Sequence, residues 1–101
     1  MPKKKFKEIV QQSDAAILVD FYADWCGPCQ TMHPILESAI SELAGKIRLH
    51  KLNVDKHPQL AKQFGVRSIP HLILLKKGKI LWRKGGLLTK RELLQGLKGF
   101  L

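Results

Sequence analysis

A chain of 101 residues, 45% hydrophobic and 26% charged, is expected to fold as a single soluble domain over residues 1–101, with one modest core. Its 18 Lys and Arg against 8 Asp and Glu give a net charge of +10, and its two cysteines are too few for a disulfide-rich secreted scaffold. No stretch has the ~20 apolar residues of a membrane-spanning helix, and the basic start MPKKKFKEIVQQSD reaches Glu8 and Gln11 before any apolar core of a secretory signal could form.

Residues 1–5 read as a basic, loosely ordered start, and Phe6, Ile9 and Val10 recur at helical spacing, which predicts a short helix over about Lys5–Gln12. Ala16–Tyr22 is a nearly continuous apolar run, the signature of a strand covered on both faces, yet it contains Asp20. A second helix opens at the cysteines and carries Cys29, Met32, Leu36, Ala39 or Ile40, and Leu43 on its apolar face. Pro34 lies inside it, which predicts a kink, and Gly45 closes it. Ile47–Val54 is a second strand, with Ile47, Leu49 and Lys51 on one face and His50, Leu52 and Val54 on the other. Gln59–Phe64 is a short helix closed by Gly65. His71–Lys76 and Lys79–Trp82 form a hairpin around Gly78. Thr89-Lys90-Arg91-Glu92 is a capping box opening a last helix, with Leu93, Leu94, Leu97 and Phe100 on its apolar face. A β-α-β unit followed by a hairpin implies a mixed sheet of about four strands between helices, a three-layer α/β/α sandwich.

The chemistry is concentrated at Cys26-Gly27-Pro28-Cys29, where a strand ends and a helix begins. A helix N-terminus favours a thiolate over a thiol, and the two-residue spacer lets the sulfurs bond to each other. Cys26, at the outer position, is expected to be the nucleophile, and Cys29, one turn into the helix, the buried resolving thiol. Zinc sites use the same spacing, but a second pair of ligands is wanting. His33 and His71 are the candidates to supply it, and they read better as ordinary packing or partly exposed residues, so no metal is expected. Burial should raise the pKa of Asp20 toward neutrality, and Lys51 on the neighbouring strand is placed to partner it. An ion pair satisfied for structure alone is the competing reading of Asp20.

In sequence and spacing, LVDFYADWCGPC, Pro34, KLNVD at Lys51–Asp55, GVRSIP at Gly65–Pro70 and KKGK…GG resemble the thioredoxin family from Phe6 to Leu101. The resemblance implies a thioredoxin-like fold and a reversible Cys26–Cys29 dithiol/disulfide that reduces protein disulfides, carries electrons and maintains cell redox homeostasis. It implies that Asp20 assists proton transfer to and from Cys29, and that Gly27 and Pro28 tune the redox pair. By the same resemblance Ile69-Pro70 is a cis-proline loop facing the cysteines. Trp25, Ile69, Pro70 and Gly86 then dock the substrate, the Ile69 backbone pairing with it as an added strand does. Simple packing is the competing reading of Trp25. No bound cofactor is implied. Electrons are expected from NADPH through a thioredoxin reductase, and the protein is expected to be a cytoplasmic monomer without specific nucleic-acid or membrane partners.

Four features depart from the family pattern. The family's first strand has no counterpart before Phe6, which should leave Ile47–Val54 as a sheet edge, guarded by Arg48, His50 and Lys51. His71 stands after the cis-proline position where a small polar residue is common, and Gly85 where a branched apolar one is. From Lys56 onward Glu92 is the single acid, so the excess charge lies in the second half and is expected to favour acidic substrates. A binding module recruited to an acidic partner is the competing class. Loss of activity in Cys29→Ser discriminates against it.

Overall fold

The apolar run Ala16–Tyr22 becomes the central strand β1 of a four-stranded sheet. The computed structural model describes residues 6–12 and 14–101. Before β1 comes helix α1 (Phe6–Gln12), and after it α2 (Gly27–Glu42), β2 (Ile47–Asn53), α3 (Pro58–Gln63), β3 (His71–Lys76), β4 (Lys79–Gly85) and α4 (Lys90–Lys98). The strand order is β2-β1-β3-β4. β1 runs parallel to β2 and antiparallel to β3, and β4 is antiparallel to β3.

Side chains alternate across the sheet, so each strand feeds two cores. On one face Leu18, Leu72 and Leu74 pack with Met32, Leu36 and Ala39 of α2 and with Leu93 and Leu97 of α4. On the other, Val19, Phe21, Ile73 and Leu75 pack with Val10 of α1 and Ala61 of α3. This is the expected α/β/α sandwich. Among the described residues β2 stands at the sheet edge, as expected, with Arg48 exposed. The expectations for residues 1–5 and for the side chain of Ile9 lie outside the described residues.

Several boundaries differ from the sequence reading. β4 continues past Trp82 to Gly85 because Arg83, Lys84 and Gly85 pair with Ile73, Leu72 and His71, and a register shift between Leu74 and Leu75 absorbs one residue. α4 ends at Lys98, which leaves Phe100 outside the helix and 40% exposed, not on its apolar face. α2 stops at Glu42, two residues before the first left-handed φ, at Ala44. β2 ends at Asn53, though Val54 still donates its N–H to the Tyr22 carbonyl at 2.8 Å.

Candidate active site

β1 ends at Tyr22, and the chain turns through Ala23–Trp25 with the Cys26 N–H donating to the Ala23 carbonyl at 3.2 Å. Cys26 is then the N-cap of α2. Its backbone is extended, and its sulfur accepts the Cys29 N–H at 3.2 Å. An N-cap side chain takes up one of the donors that a helix start leaves unpaired, and here that side chain is a sulfur. When the sulfur is reduced, the same N–H and the positive end of the helix favour its thiolate. Pro28 fits the first turn, where its missing N–H costs nothing. Cys26 and Cys29 are joined by a disulfide, with Cα atoms 5.3 Å apart.

Both cysteines are largely covered, Cys26 at 4% exposure and Cys29 at 1%, so their difference in access is small in the disulfide form. The surroundings are open instead. Gly27 and Pro28 are exposed, and Trp25 is 72% exposed. Trp25 is not loose, because its indole N–H donates to Asp55 Oδ2 at 2.8 Å, and the Asp55 N–H donates to Asn53 Oδ1 at 2.9 Å. The turn after the second strand therefore holds the tryptophan beside the disulfide. That contact was not legible in the sequence, since Asp55 lies in the turn after β2, 30 positions further along the chain.

The Ile69–Pro70 bond is cis, at the place the family resemblance indicated, and the Ile69 carbonyl oxygen lies 3.9 Å from Cys26 Sγ. Gly86 closes this edge by donating its N–H to the Pro70 carbonyl at 2.9 Å, in a backbone with φ +91° that glycine adopts without strain. The two departures at His71 and Gly85 are neighbours. They face each other across β3 and β4, and a Cβ at Gly85 would sit 3.2 Å from His71 Nδ1. The glycine makes room for the imidazole. Arg83 donates from Nε to His71 Nε2 at 3.2 Å and from Nη2 to the Phe64 carbonyl at 2.7 Å, which fixes a guanidinium near the loop. Because arginine only donates, His71 Nε2 accepts and the ring is neutral with its proton on Nδ1. Burial and Arg83 both hold the His71 pKa down.

Asp20 lies beneath α2, 1% exposed, with neither carboxyl oxygen hydrogen-bonded. Burial pushes its pKa from 3.8 up to about 6, and the charge of Lys51 opposes that rise. Lys51 is the register partner of Asp20, but it is not its ion-pair partner. The Lys51 ammonium reaches outward to Glu37 Oε1 at 3.1 Å, where both ends stay hydrated. The side chain that meets Asp20 is His33, with Nδ1 at 3.5 Å from Oδ2. His33 stands one turn after Cys29 on α2, and its ring packs edge-on to Tyr22 with centroids 5.3 Å apart. Reading it as packing missed this contact. The available signal was the i, i+4 spacing from Cys29, which puts both on one helix face.

His33 is thus engaged with Asp20 and His71 with Arg83. Among the described residues no group of three or more His, Cys, Asp or Glu side chains could hold a metal ion. Also among them, no helix is long and apolar enough to cross a membrane.

The thioredoxin family model matches residues 1–99. The chain is 44% identical over 89 residues to the thioredoxin of Rickettsia felis, covering 88% of this chain and 85% of the relative. It is 46% identical over 88 residues to the thioredoxin of Haemophilus influenzae, covering 87% and 82%. To a thioredoxin-like protein of Synechocystis it is 43% identical over 96 residues, covering 95% and 91%. The chain therefore belongs to the thioredoxin family and is a thiol–disulfide oxidoreductase that acts on protein disulfides through Cys26 and Cys29.

Proposed function

We propose that this oxidoreductase works in the reducing direction in the cytoplasm, as a monomer, with electrons drawn from NADPH through a thioredoxin reductase. The observation that carries the residue roles is the capping of α2 by the Cys26 sulfur above a buried, unbonded carboxyl. The Cys26 thiolate attacks one sulfur of a substrate disulfide. That S–S bond breaks, a mixed disulfide forms, and the first substrate thiolate leaves and takes a proton. Cys29 then gives its proton to Asp20, and its thiolate attacks Cys26 Sγ. The Cys26–Cys29 bond forms, and the second substrate thiolate departs. An Asp20 pKa of about 6 suits a group that must both take and return a proton near neutral pH.

Substrate would lie across Trp25, Gly27, Pro28, Pro70 and Gly86, pairing with the Ile69 backbone beside Cys26. The cationic rim of Arg83, Arg67 and Lys84 favours acidic substrates by attraction during approach. The test is reduction of insulin disulfides with NADPH and thioredoxin reductase, together with trapping by Cys29→Ser. Turnover by the native chain and covalent capture of substrate by Cys29→Ser support the reading. Turnover that survives in Cys29→Ser overturns it.

A further inference from the structure

Three buried polar atoms without hydrogen-bond partners converge on one place: both carboxyl oxygens of Asp20 and Nδ1 of His33. The two groups stand 3.5 Å apart, slightly beyond the usual hydrogen-bond length, so a small shift joins them. Asp20 keeps 1% of its side-chain surface in water, whereas the His33 side chain keeps 26% although its Nδ1 keeps none. The imidazole thus has one nitrogen in the interior beside the carboxyl and part of its side chain at the surface. Cys29 and His33 are one turn apart on α2, with Cβ atoms about 5–6 Å apart by helix geometry. The resolving cysteine therefore lies one turn along the same helix face from the imidazole that meets the carboxyl.

We propose that His33 is a positioning residue for the resolution step, taking at Nδ1 the proton that Asp20 receives from Cys29 and releasing another from Nε2 to water. This rests on the role of Asp20 given above. The balance is simple. One proton leaves the Cys29 thiol, one enters solvent, Asp20 returns to carboxylate, and the ring ends as its other neutral tautomer, which exchange with water resets. No electron moves in the relay.

The surroundings of His33 favour easy transfer. Asp20 and Tyr22 face it from β1, Lys51 from β2, and Glu37 from the next turn of α2. Burial and Lys51 lower the His33 pKa from 6.5 while Glu37 opposes them, and burial raises that of Asp20 to about 6. The two groups shift in opposite directions, the acid upward and the base downward from their ordinary values. Lys51 turns its ammonium outward to Glu37, away from the carboxyl, and offers no comparable path.

The experiment is stopped-flow reduction of an aromatic disulfide whose two thiolate products absorb visible light and leave in separate phases. The first phase reports attack by Cys26, and the second reports resolution by Cys29. In His33→Ala the first phase should be unchanged and the second slowed roughly tenfold between about pH 6 and 8, less than the roughly 10²–10⁴-fold of a direct acid or base because Asp20 still takes the proton from Cys29. Added imidazole should restore the second phase in His33→Ala. His33→Gln, polar but unable to cycle a proton, should be slowed equally. An unchanged second phase in either variant, or a slow one that imidazole leaves slow, overturns the proposal. Asp20→Asn measured in parallel separates the two readings. If it leaves the second phase unchanged, the roles of Asp20 and His33 both fall. If it slows that phase and His33→Ala does not, the role of His33 alone falls. With Asp20→Asn in place, adding His33→Ala should slow resolution no further.

Discussion

The two faces of β1 are sealed almost equally, yet they are built differently. Toward α1 and α3 the strand presents Val19 and Phe21, both at 0% exposure, and β3 adds Ile73 and Leu75. Toward α2 and α4 it presents Leu18 at 0% and Asp20 at 1%. A buried carboxyl without hydrogen bonds costs folding free energy, and the opposite face has no such group among its described buried residues. One face thus only stabilises the fold. The other gives up some stability six residues before the disulfide, as the proton-carrying role proposed for Asp20 requires.

The largest expected effects fall on the disulfide. Cys26→Ser should abolish reduction and trap no substrate, whereas Cys29→Ser should abolish turnover and accumulate mixed disulfides through Cys26. Both variants should stay folded, because the bond closes a loop of only a few residues and constrains the unfolded chain little. Mass spectrometry of trapped species and circular dichroism check the two statements. Capture of substrate by Cys26→Ser would assign the attack to Cys29.

Next come two substitutions of opposite sign on the two faces. Ile73→Ala opens a cavity in the α1/α3 core and should cost about 2–5 kcal/mol of stability. Asp20→Asn should instead stabilise the protein at neutral pH. The folded carboxyl titrates at about 6 against 3.8 in its ordinary setting, so the folded state holds its proton more tightly. Below pH 3.8 that carboxyl carries no penalty. Stability is lost as pH rises toward and through about 6, and the full loss above it is roughly 3 kcal/mol at 1.36 kcal/mol per unit. Denaturant melts of the native chain and Asp20→Asn across this window should show a gap that opens with rising pH. A gap that stays flat would mean the carboxyl is compensated and the faces are alike.

A smaller effect tests packing on the α2/α4 face. Gly96 lies inside α4, where alanine would ordinarily gain about 1 kcal/mol. Here an added Cβ would stand 2.8 Å from Cζ2 and 3.0 Å from Cε2 of Trp82, a half-buried ring packed against that core. Gly96→Ala should therefore lower stability by about 1–2 kcal/mol through overpacking. Gly99→Ala, with φ −65° and open space around it, should be neutral or gain a few tenths of a kcal/mol. Thermal melts rank the pair, and a stabilised Gly96→Ala would show that the ring can move aside.

Elements whose signals are local were legible in the sequence. The bounds of β1 follow from an unbroken apolar run, and the α4 start follows from Thr89 and Glu92, which exchange both bonds of a capping box. The cysteines and Asp20 were legible for the same reason. Features that depend on where a long side chain ends were not. Lys51 stands opposite Asp20, but its flexible stem carries the charge to Glu37, a residue of a different element. His33 reads as a packing or partly exposed residue, because helical spacing alone does not show that β1 brings Asp20 beneath it. β4 extends to Gly85 because β3 supplies partners for polar residues that do not read as strand on their own.

The smallest expected effect concerns the rim of the face that carries no chemistry. Arg83 is held by Phe64 and His71 at the loop end of the sheet, so its charge is fixed beside the cis proline. Lys98 belongs to the other end, grouped with Leu43, Ala44 and Lys46 past the C-terminus of α2. The 16 residues of α2 put about 24 Å between the two ends at 1.5 Å per residue, beyond the ~8 Å Debye length of physiological salt. A charge near the docking site should steer an acidic substrate, whereas a distant one should be screened. Arg83→Gln should therefore slow reduction of an acidic disulfide peptide several-fold at physiological salt and leave a neutral peptide unchanged, with Lys98→Gln affecting neither. The difference should vanish near 1 M salt, where the Debye length falls to about 3 Å. Equal losses from the two substitutions would mean that net charge, not its placement, sets the rate. A response to Arg83→Gln that persists at high salt would mean direct contact with the substrate, and the α1/α3 face would then share in recognition after all.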